Sequence, residues 1–394
     1  MTVQGALHGA GTGWFTPAEE ELRKDVAGYL AAEVLPRAAE WERAGELPLR
    51  EVLTALGTRG WLGARFPRER GGGGRTLWEH VVLAECLGEV PCDSLGMAVT
   101  VHQDMVAPLL ADSGTEEAVE RFLRPALRGT HVLAHAVSEA GAGSDVASVA
   151  ATAVPTGEGY ELTGTKRWVT AGRYADSFAV LARLPQAPGP FGHVLLMVPA
   201  GAEGVCVRPG PPTLGMHAAG LAGEVRFESV RVPKAHRIGG HGLGLVTQLR
   251  QFEQERILAS CRSLAIASRL LAQTREHLEG RETFGAPVAS RQDVSFRLAR
   301  LRAAVESARQ LAYTAADRWA TGGDYRTLSA AAKLRAGRLV RETARLCLHL
   351  HGTEGQLTDS AVNRAWRDAR LFSLSTGSDE MMLTTLARLE GWDD

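Results

Sequence analysis

Lysine is nearly missing from this chain of 394 residues: it occurs only at Lys24, Lys166, Lys234 and Lys333, so almost all of the positive charge is arginine. Beside abundant Ala and Gly, that bias reads as genomic and carries no functional message. Neither sign of charge is in excess. The 44 basic and 45 acidic residues leave a formal net charge of −1, without the electrostatic footprint that a nucleic-acid or anionic-membrane partner requires. Cysteine is scarce as well. Cys86, Cys92, Cys206, Cys261 and Cys347 are odd in number, scattered and without a CxxC pair, which argues against a disulfide framework and a thiolate metal site and fits a reducing cytoplasm. No apolar stretch reaches the roughly 18–20 residues that span a bilayer. The opening MTVQGALHGAGTGWF lacks the charged start and apolar run of a secretory signal. Small-molecule chemistry in the cytoplasm is the expectation, in a chain long enough for two or three domains.

What is present is a change of period along the chain. Thr16-Pro17-Ala18-Glu19 predicts a helix start with a capping box, and Thr76 with Glu79 predicts a second one leading into Val81, Val82 and Leu83. Gly71 to Gly74 lack the GKS/T ending of a phosphate loop and read as a flexible turn between helices. From about His131 to Ile238 the period becomes two, as where Val225 and Phe227 alternate with charged neighbours, and the runs Ser177–Leu184 and His193–Val198 read as strands set off by Gly and Pro clusters. After Gly244 the helical period returns, with Leu298, Leu301, Val305, Ala308, Ala312 and Ala315 on one stripe and Val340, Ala344 and Cys347 on another. The predicted class is α+β, mostly α: a helical domain over 1–130, a β domain over 131–240 and a helical bundle over 241–394.

Two segments of the β region carry chemistry together. SEAGAGSD, Ser138 to Asp145, is a Gly/Ala-rich turn that leaves backbone N–H groups free for an electron-rich ligand. KRWVT, Lys166 to Thr170, adds the flat face of Trp168 and the hydroxyl of Thr170. Either segment alone reads better as a tight hairpin around a core Trp, since large aromatics are usually core residues. With RETFGAP from Arg281, Gln292, HLHGTEG from His349 and RDARLFSLSTGSDEMM from Arg367, however, they form an ordered set running from Trp14 to the end of the chain that closely resembles the acyl-CoA dehydrogenase family. The resemblance implies an N-terminal helical domain, a central β-barrel or sandwich and a C-terminal four-helix bundle. It also implies non-covalent FAD, with His135, Val137, Ser138, Trp168 and Thr170 at the isoalloxazine, Gly143 and Ser144 on its thioester side, and Ser378 and Glu380 along the pyrophosphate. Arg281, Phe284, Gln292, His349, Gly352 and Thr353 are then expected to reach the FAD of a neighbouring subunit, which makes the protein a homo-oligomer, in the family a tetramer built as a dimer of dimers. A guanidinium at Arg281 suits phosphate oxygens.

The chain also departs from the pattern. Ala140 replaces a usual Pro, His135 an aromatic or apolar residue, His349 a Gln, and Thr353 the second Gly of a pair. His349 and His351, two apart, diverge rather than share a metal, so no metal is assigned. Most important, Thr376 stands where most members carry the Glu that removes the proton α to the thioester carbonyl. A threonine cannot remove it, although its backbone N–H can still polarise that carbonyl. Glu255, in FEQER, matches the place where isovaleryl-CoA dehydrogenase and its relatives put their base, and is the candidate here, its bland alternative being a surface pair with Arg256. Ser144, Arg256 and Gly377 are the substrate candidates.

The expected reaction is FAD-dependent α,β-dehydrogenation of an acyl thioester on CoA or an acyl-carrier protein, with electrons passing to an electron-transfer flavoprotein or oxygen. WERAGELP and RYADSFAV look like dehydrogenases of polyketide and peptide assembly lines, which implies secondary metabolism. The alternatives are a flavin monooxygenase on the same scaffold, which needs no α-proton base, and a member that has lost its activity.

Overall fold

The computed structural model describes residues 13–187 and 189–392. Of the opening segment read for an export signal, only Gly13, Trp14 and Phe15 fall within them, and Pro188 in the Gly/Pro cluster lies outside. The chain begins with helices α1 Pro17–Tyr29, α2 Ala38–Ala44, α3 Leu49–Thr58, α4 Leu77–Gly88, α5 Asp93–Thr100, α6 Ala107–Ser113, α7 Glu116–Ala118 and α8 Arg124–Leu127. The first capping box forms: Thr16 Oγ1 accepts from the Glu19 N–H at 3.4 Å, and Glu19 Oε2 accepts from the Thr16 N–H at 2.7 Å. The second does not. Thr76 precedes α4, but its hydroxyl donates to Glu19 Oε1 at 2.6 Å, and Glu79 pairs instead with Arg75 at 3.1 Å. Glu19, turned inward by the first box, offers a charged acceptor that outcompetes a neutral backbone partner for this hydroxyl. The glycine run is also not the flexible turn predicted. Gly72, Gly73 and Gly74 donate to Pro67 O, Gly63 O and Phe66 O, and a Cβ on Gly72 would lie 2.3 Å from Phe66 O, so the run is glycine because the backbone closes on itself.

Strands β1 Leu133–Ala136, β2 Thr152–Pro155, β3 Gly159–Val169, β4 Ser177–Arg183, β5 His193–Pro199, β6 Val205–Pro209, β7 Ala222–Pro233 and β8 Arg237–Ile238 form one eight-stranded sheet in the order β6-β7-β3-β2-β4-β5-β8, with β1 parallel to β4. β7 shows the alternation its sequence predicts, Val225 and Phe227 buried against exposed Arg226 and Glu228. β4 and β5 have no polar face. Phe178, Val180, Leu196 and Val198 point into the interior of the sheet, while Ala179, Leu181, Leu195 and Met197 pack on Leu109, Leu110 and Leu127 of the first helical layer. The sheet curls so that β1 approaches β3 and β5 approaches β7 without pairing, around an edge-to-face pair of Phe178 and Phe227. β6 and β8 remain as its ends.

The chain then returns to helix: α9 Gly244–Glu279, the hairpin of β9 Glu282–Thr283 and β10 Ala286–Pro287, then α10 Gln292–Ala320, α11 Arg326–Leu350, α12 Ala361–Asp368 and α13 Asp379–Leu389. α9, α10, α11 and α13 make the bundle, and α4 lies along α9. The predicted stripe of α10 is buried from Leu301 to Ala315, with Leu298 packed at its margin. Its small residues, with Ala336 and Ala344 of α11, let the helix axes close up.

A buried polar junction joins the two helical parts. Glu85 of α4 receives Arg23 of α1 at 2.7 Å on one oxygen and the Tyr313 hydroxyl of α10 at 2.5 Å on the other. Tyr313→Phe removes one donor to a charged acceptor, a loss of about 1.5–3 kcal/mol. Glu85→Ala strands a buried guanidinium, a loss of about 3–5 kcal/mol. Scanning calorimetry is expected to show both variants melting lower, Glu85→Ala by more; unchanged melting of Glu85→Ala would contradict the junction.

Candidate active site

Glu255 lies in the first half of α9, on a face formed with Ala259, Arg262 and Ser263 by the helical repeat. That face meets Lys333, Ala336 and Gly337 of α11 and the turn carrying Phe372, Ser375 and Thr376, and together they line a narrow cavity. A Cβ on Gly337 would lie 2.9 Å from Phe372 O, so glycine at this point lets the turn settle onto α11. The surface-pair alternative for Glu255 is excluded by its burial: the residue is 3% exposed. Burial pushes its carboxyl above the usual range, against the pull of the Thr376 hydroxyl bonded to it and of the Arg262, Lys333 and Arg256 charges. Its Oε2 has no hydrogen-bond partner among the described residues. A carboxylate in this state is poised to accept a proton.

The turn opposite is held from below. Arg256 Nε donates to Thr376 O at 3.0 Å and Lys333 Nζ donates to Gly377 O. Burial depresses Lys333 to about 8. Under this grip Thr376 has φ 53°, a conformation that costs a β-branched residue about 1–3 kcal/mol and marks functional sites. Gly377 follows with φ 103°. Among the described residues the Thr376 N–H has no hydrogen-bond partner, which leaves it available to an acceptor. Arg256, a substrate candidate, thus spends its Nε on positioning the turn. Ser378 caps α13, its hydroxyl accepting from the Met381 N–H at 3.3 Å, and it bonds the exposed Glu380, whose carboxyl this lowers.

The two β segments are joined as their sequence implied. Arg167 N–H donates to Ser138 O at 2.8 Å, and the buried Lys166 ammonium reaches Val137 O at 3.0 Å and Glu139 at 2.7 Å. Trp168 is not the core Trp of the hairpin alternative. It is 47% exposed, at φ 60°, so its ring is presented outward, with Thr170 beyond it. Around Gly141 and Gly143 there is open space, and Ser144 is exposed beside them. An exposed aromatic face beside an open glycine turn fits a flat cofactor. His135 on β1 turns the other way. Its Nε2 meets Gln248 Oε1 at 2.6 Å, its ring lies edge-on to Phe252, and burial lowers it to about 4, so it is neutral. Gln248 continues to Gln251 at 3.0 Å and Gln251 to Asp104 O at 2.8 Å. Burial first, and then Glu255, raise the Asp104 carboxyl to about 7, so this polar chain ends in the electrostatic field of Glu255.

A second group gathers at the far end of α9 and α11. Arg281 NH1 lies 3.2 Å from the Cβ position of Gly352, His351 stacks on His277 at 4.3 Å, and Phe284 is 99% exposed at φ 51°. His349 and Gln292 are exposed, as is Thr353. Glu255 and Glu279 are about 36 Å apart at the helical rise of 1.5 Å per residue, so this group and the base cannot serve one cofactor within one chain. Trp168, Phe284 and Thr376, all singled out in the sequence, are among the few non-glycine residues at positive φ.

Sequence reasoning missed Arg262, Lys333 and Asp104. Glu255, Arg262 and Arg269 recur at seven-residue intervals in a stretch of α9 whose other charged residue is Arg256, which was the available signal for Arg262. Lys333 was marked by rarity alone. Asp104 carried no signal; only the fold brings α5 and its continuation beside α9.

The chain matches three family models in order, the acyl-CoA dehydrogenase N-terminal domain over 16–130, the middle domain over 134–230 and the C-terminal domain over 240–390. It is 29% identical to the short-chain specific acyl-CoA dehydrogenase of Clostridium acetobutylicum over 93% of this chain and 96% of that protein. To the mitochondrial long-chain specific acyl-CoA dehydrogenase of Mus musculus it is 31% identical, over 95% of this chain and 86% of that protein. The crystal structure of the acyl-CoA dehydrogenase from Geobacillus kaustophilus superposes with a TM-score of 0.92 at 28% identity, covering 96% and 99% of the two chains. Fold, site and relatives agree: the chain belongs to the acyl-CoA dehydrogenase family, whose members are flavin oxidoreductases acting on the CH–CH bond of an acyl-CoA.

Proposed function

We propose that the protein catalyses FAD-dependent α,β-dehydrogenation of an acyl thioester, carried by CoA or by the pantetheine arm of a carrier protein, with Glu255 as the base. The observation that carries this reading is Glu255 itself: a buried carboxylate with one free oxygen, bonded through the other to the residue that occupies the vacated base position. Glu255 removes the C2 proton, and the free N–H of Thr376 polarises the thioester carbonyl from the opposite wall. Bound FAD supplies the acceptor for the hydride from C3. Val137, Ser138, Gly143, Trp168 and Thr170 hold the ring system, with His135 supporting it from β1 through its bond to Gln248 of α9, Ser144 and Gly377 facing the substrate, and Ser378 and Glu380 toward the pyrophosphate. Arg281, Phe284, Gln292, His349, Gly352 and Thr353 serve the site of a second copy, because the length of α9 separates them from their own base. The working unit is therefore a homo-oligomer. Electrons then leave to an electron-transfer flavoprotein. A monooxygenase has no use for a buried, unpaired base at this point, and secondary metabolism remains part of the proposal on the assembly-line segments alone.

Glu255→Gln is expected to lower kcat by about 10²–10⁴-fold, the usual contribution of a positioned base. Flavin content should stay at the wild-type level, checked by stopped-flow bleaching of the flavin band under anaerobic conditions; wild-type bleaching rates in this variant would sink the assignment. The raised carboxyl sets a pH dependence. Proton removal needs the ionised form, so kcat/KM should climb with pH through a midpoint above the ordinary 4.5 and vanish as pH falls below it. A flat profile down to that pH would contradict the burial argument. Arg281→Ala removes a charge-assisted contact of about 1.5–3 kcal/mol, so FAD should bind about 10–100-fold more weakly by equilibrium dialysis.

A further inference from the structure

The cavity beside Glu255 is a poor place for an alkyl chain. Its walls include Ser260, Ser263, Ser375, Lys333 and Arg262 against Ala259, Ala336 and Phe372. Arg262 decides what belongs there. Its guanidinium is 2% exposed and lies over the Phe372 ring, and its NH2 finds only Met97 Sδ at 3.8 Å. Nε and NH1 have no hydrogen-bond partner among the described residues. Gly96 of α5 leaves room for the head group, since a Cβ there would meet Arg262 NH1 at 3.0 Å. A buried guanidinium with two idle nitrogens is costly unless an acceptor arrives.

The neighbouring charges do not supply one. Asp93, whose charge acts on Arg262, gives one oxygen to Arg269 at 3.4 Å and leaves the other without a hydrogen bond to Arg262, Asp104 is pushed up to about 7 by burial, and Glu255 is turned to Thr376. The Arg65 charge also acts on Asp104 and adds to the positive side. The other two cations near the cavity are committed: Arg256 to Thr376 O and Lys333 to Gly377 O. Before a ligand enters, then, Arg262 is the cation lining the cavity that keeps two buried nitrogens without a partner among the described residues.

We propose that Arg262 receives a carboxylate at the far end of the acyl chain, making the substrate the monothioester of a short dicarboxylic acid. The inference rests on the dehydrogenation reading for the placement of C2 at Glu255. The seven residues between Glu255 and Arg262 correspond to about 10 Å along α9, a span that an acyl group of about four to six carbons covers with a hydrogen bond at each end. A carboxylate there satisfies the idle nitrogens by charge-assisted bonds and balances the cavity.

The test compares glutaryl, valeryl and 4-aminobutyryl thioesters of CoA and of pantetheine, with the FAD-loaded oligomer. Anaerobic flavin bleaching gives kcat/KM, and calorimetric binding to Glu255→Gln gives affinity without turnover. Glutaryl is expected to exceed valeryl by at least about a hundredfold in both, the scale of a lost buried charge partner. Arg262→Met should collapse that ratio to near one. Since the panel on the unaltered protein needs no variant, poor folding of Arg262→Met cannot rescue the idea. Valeryl equal to glutaryl overturns it, as does preference for the amine, or an Arg262→Met protein weakened equally toward every thioester. Selective glutaryl binding without bleaching by any thioester would keep the recognition and remove the dehydrogenation. Bleaching by all acyl groups alike would do the reverse.

Discussion

The grip of Arg256 and Lys333 on two successive carbonyls, those of Thr376 and Gly377, is the constraint on which the site depends. Without it a threonine would leave the left-handed region, taking its N–H and hydroxyl out of register with Glu255. Each cation comes from a different long helix, so the turn reports the relative position of α9 and α11. The packing of small residues between those helices and Gly337 under the turn are therefore parts of one arrangement. The catalytic geometry is set by bundle packing rather than by the loop itself.

A second polar line couples the sheet to the same helix. His135, Gln248, Gln251 and Asp104 run from β1 to the neighbourhood of Glu255, each a satisfied or nearly neutral group in the interior. Satisfied buried networks of this kind fix relative positions more firmly than apolar contacts, which tolerate sliding. The surface that presents Trp168 and the helix that presents Glu255 are thus registered to one another, which a reaction with groups on both sides of a substrate requires.

Much of this was legible in the sequence. The change of period marked helix, strand and helix; the box at Thr16 formed; and Glu255 with Thr376 came together as the loss of one carboxylate and the presence of another implied. What was not legible depended on competition between distant groups. The box at Thr76 failed because Glu19, 57 residues earlier, claimed its hydroxyl. The glycine run looked loose because no local pattern reveals that Gly63, Phe66 and Pro67 would supply its acceptors. Arg262 looked like one arginine among many. Only burial, and the absence of an oxygen acceptor bonded to it among the described residues, sets it apart.

The scarcity of lysine has a chemical consequence once the fold is known. Lys166 and Lys333 are buried against Glu139 and the Gly377 carbonyl, so among the described residues only Lys24 and Lys234 present their ammonium groups to solvent. Thioesters acylate free amines. A protein that holds them at its active site and shows so few nucleophilic nitrogens outside it is poorly suited to becoming a victim of its own ligand.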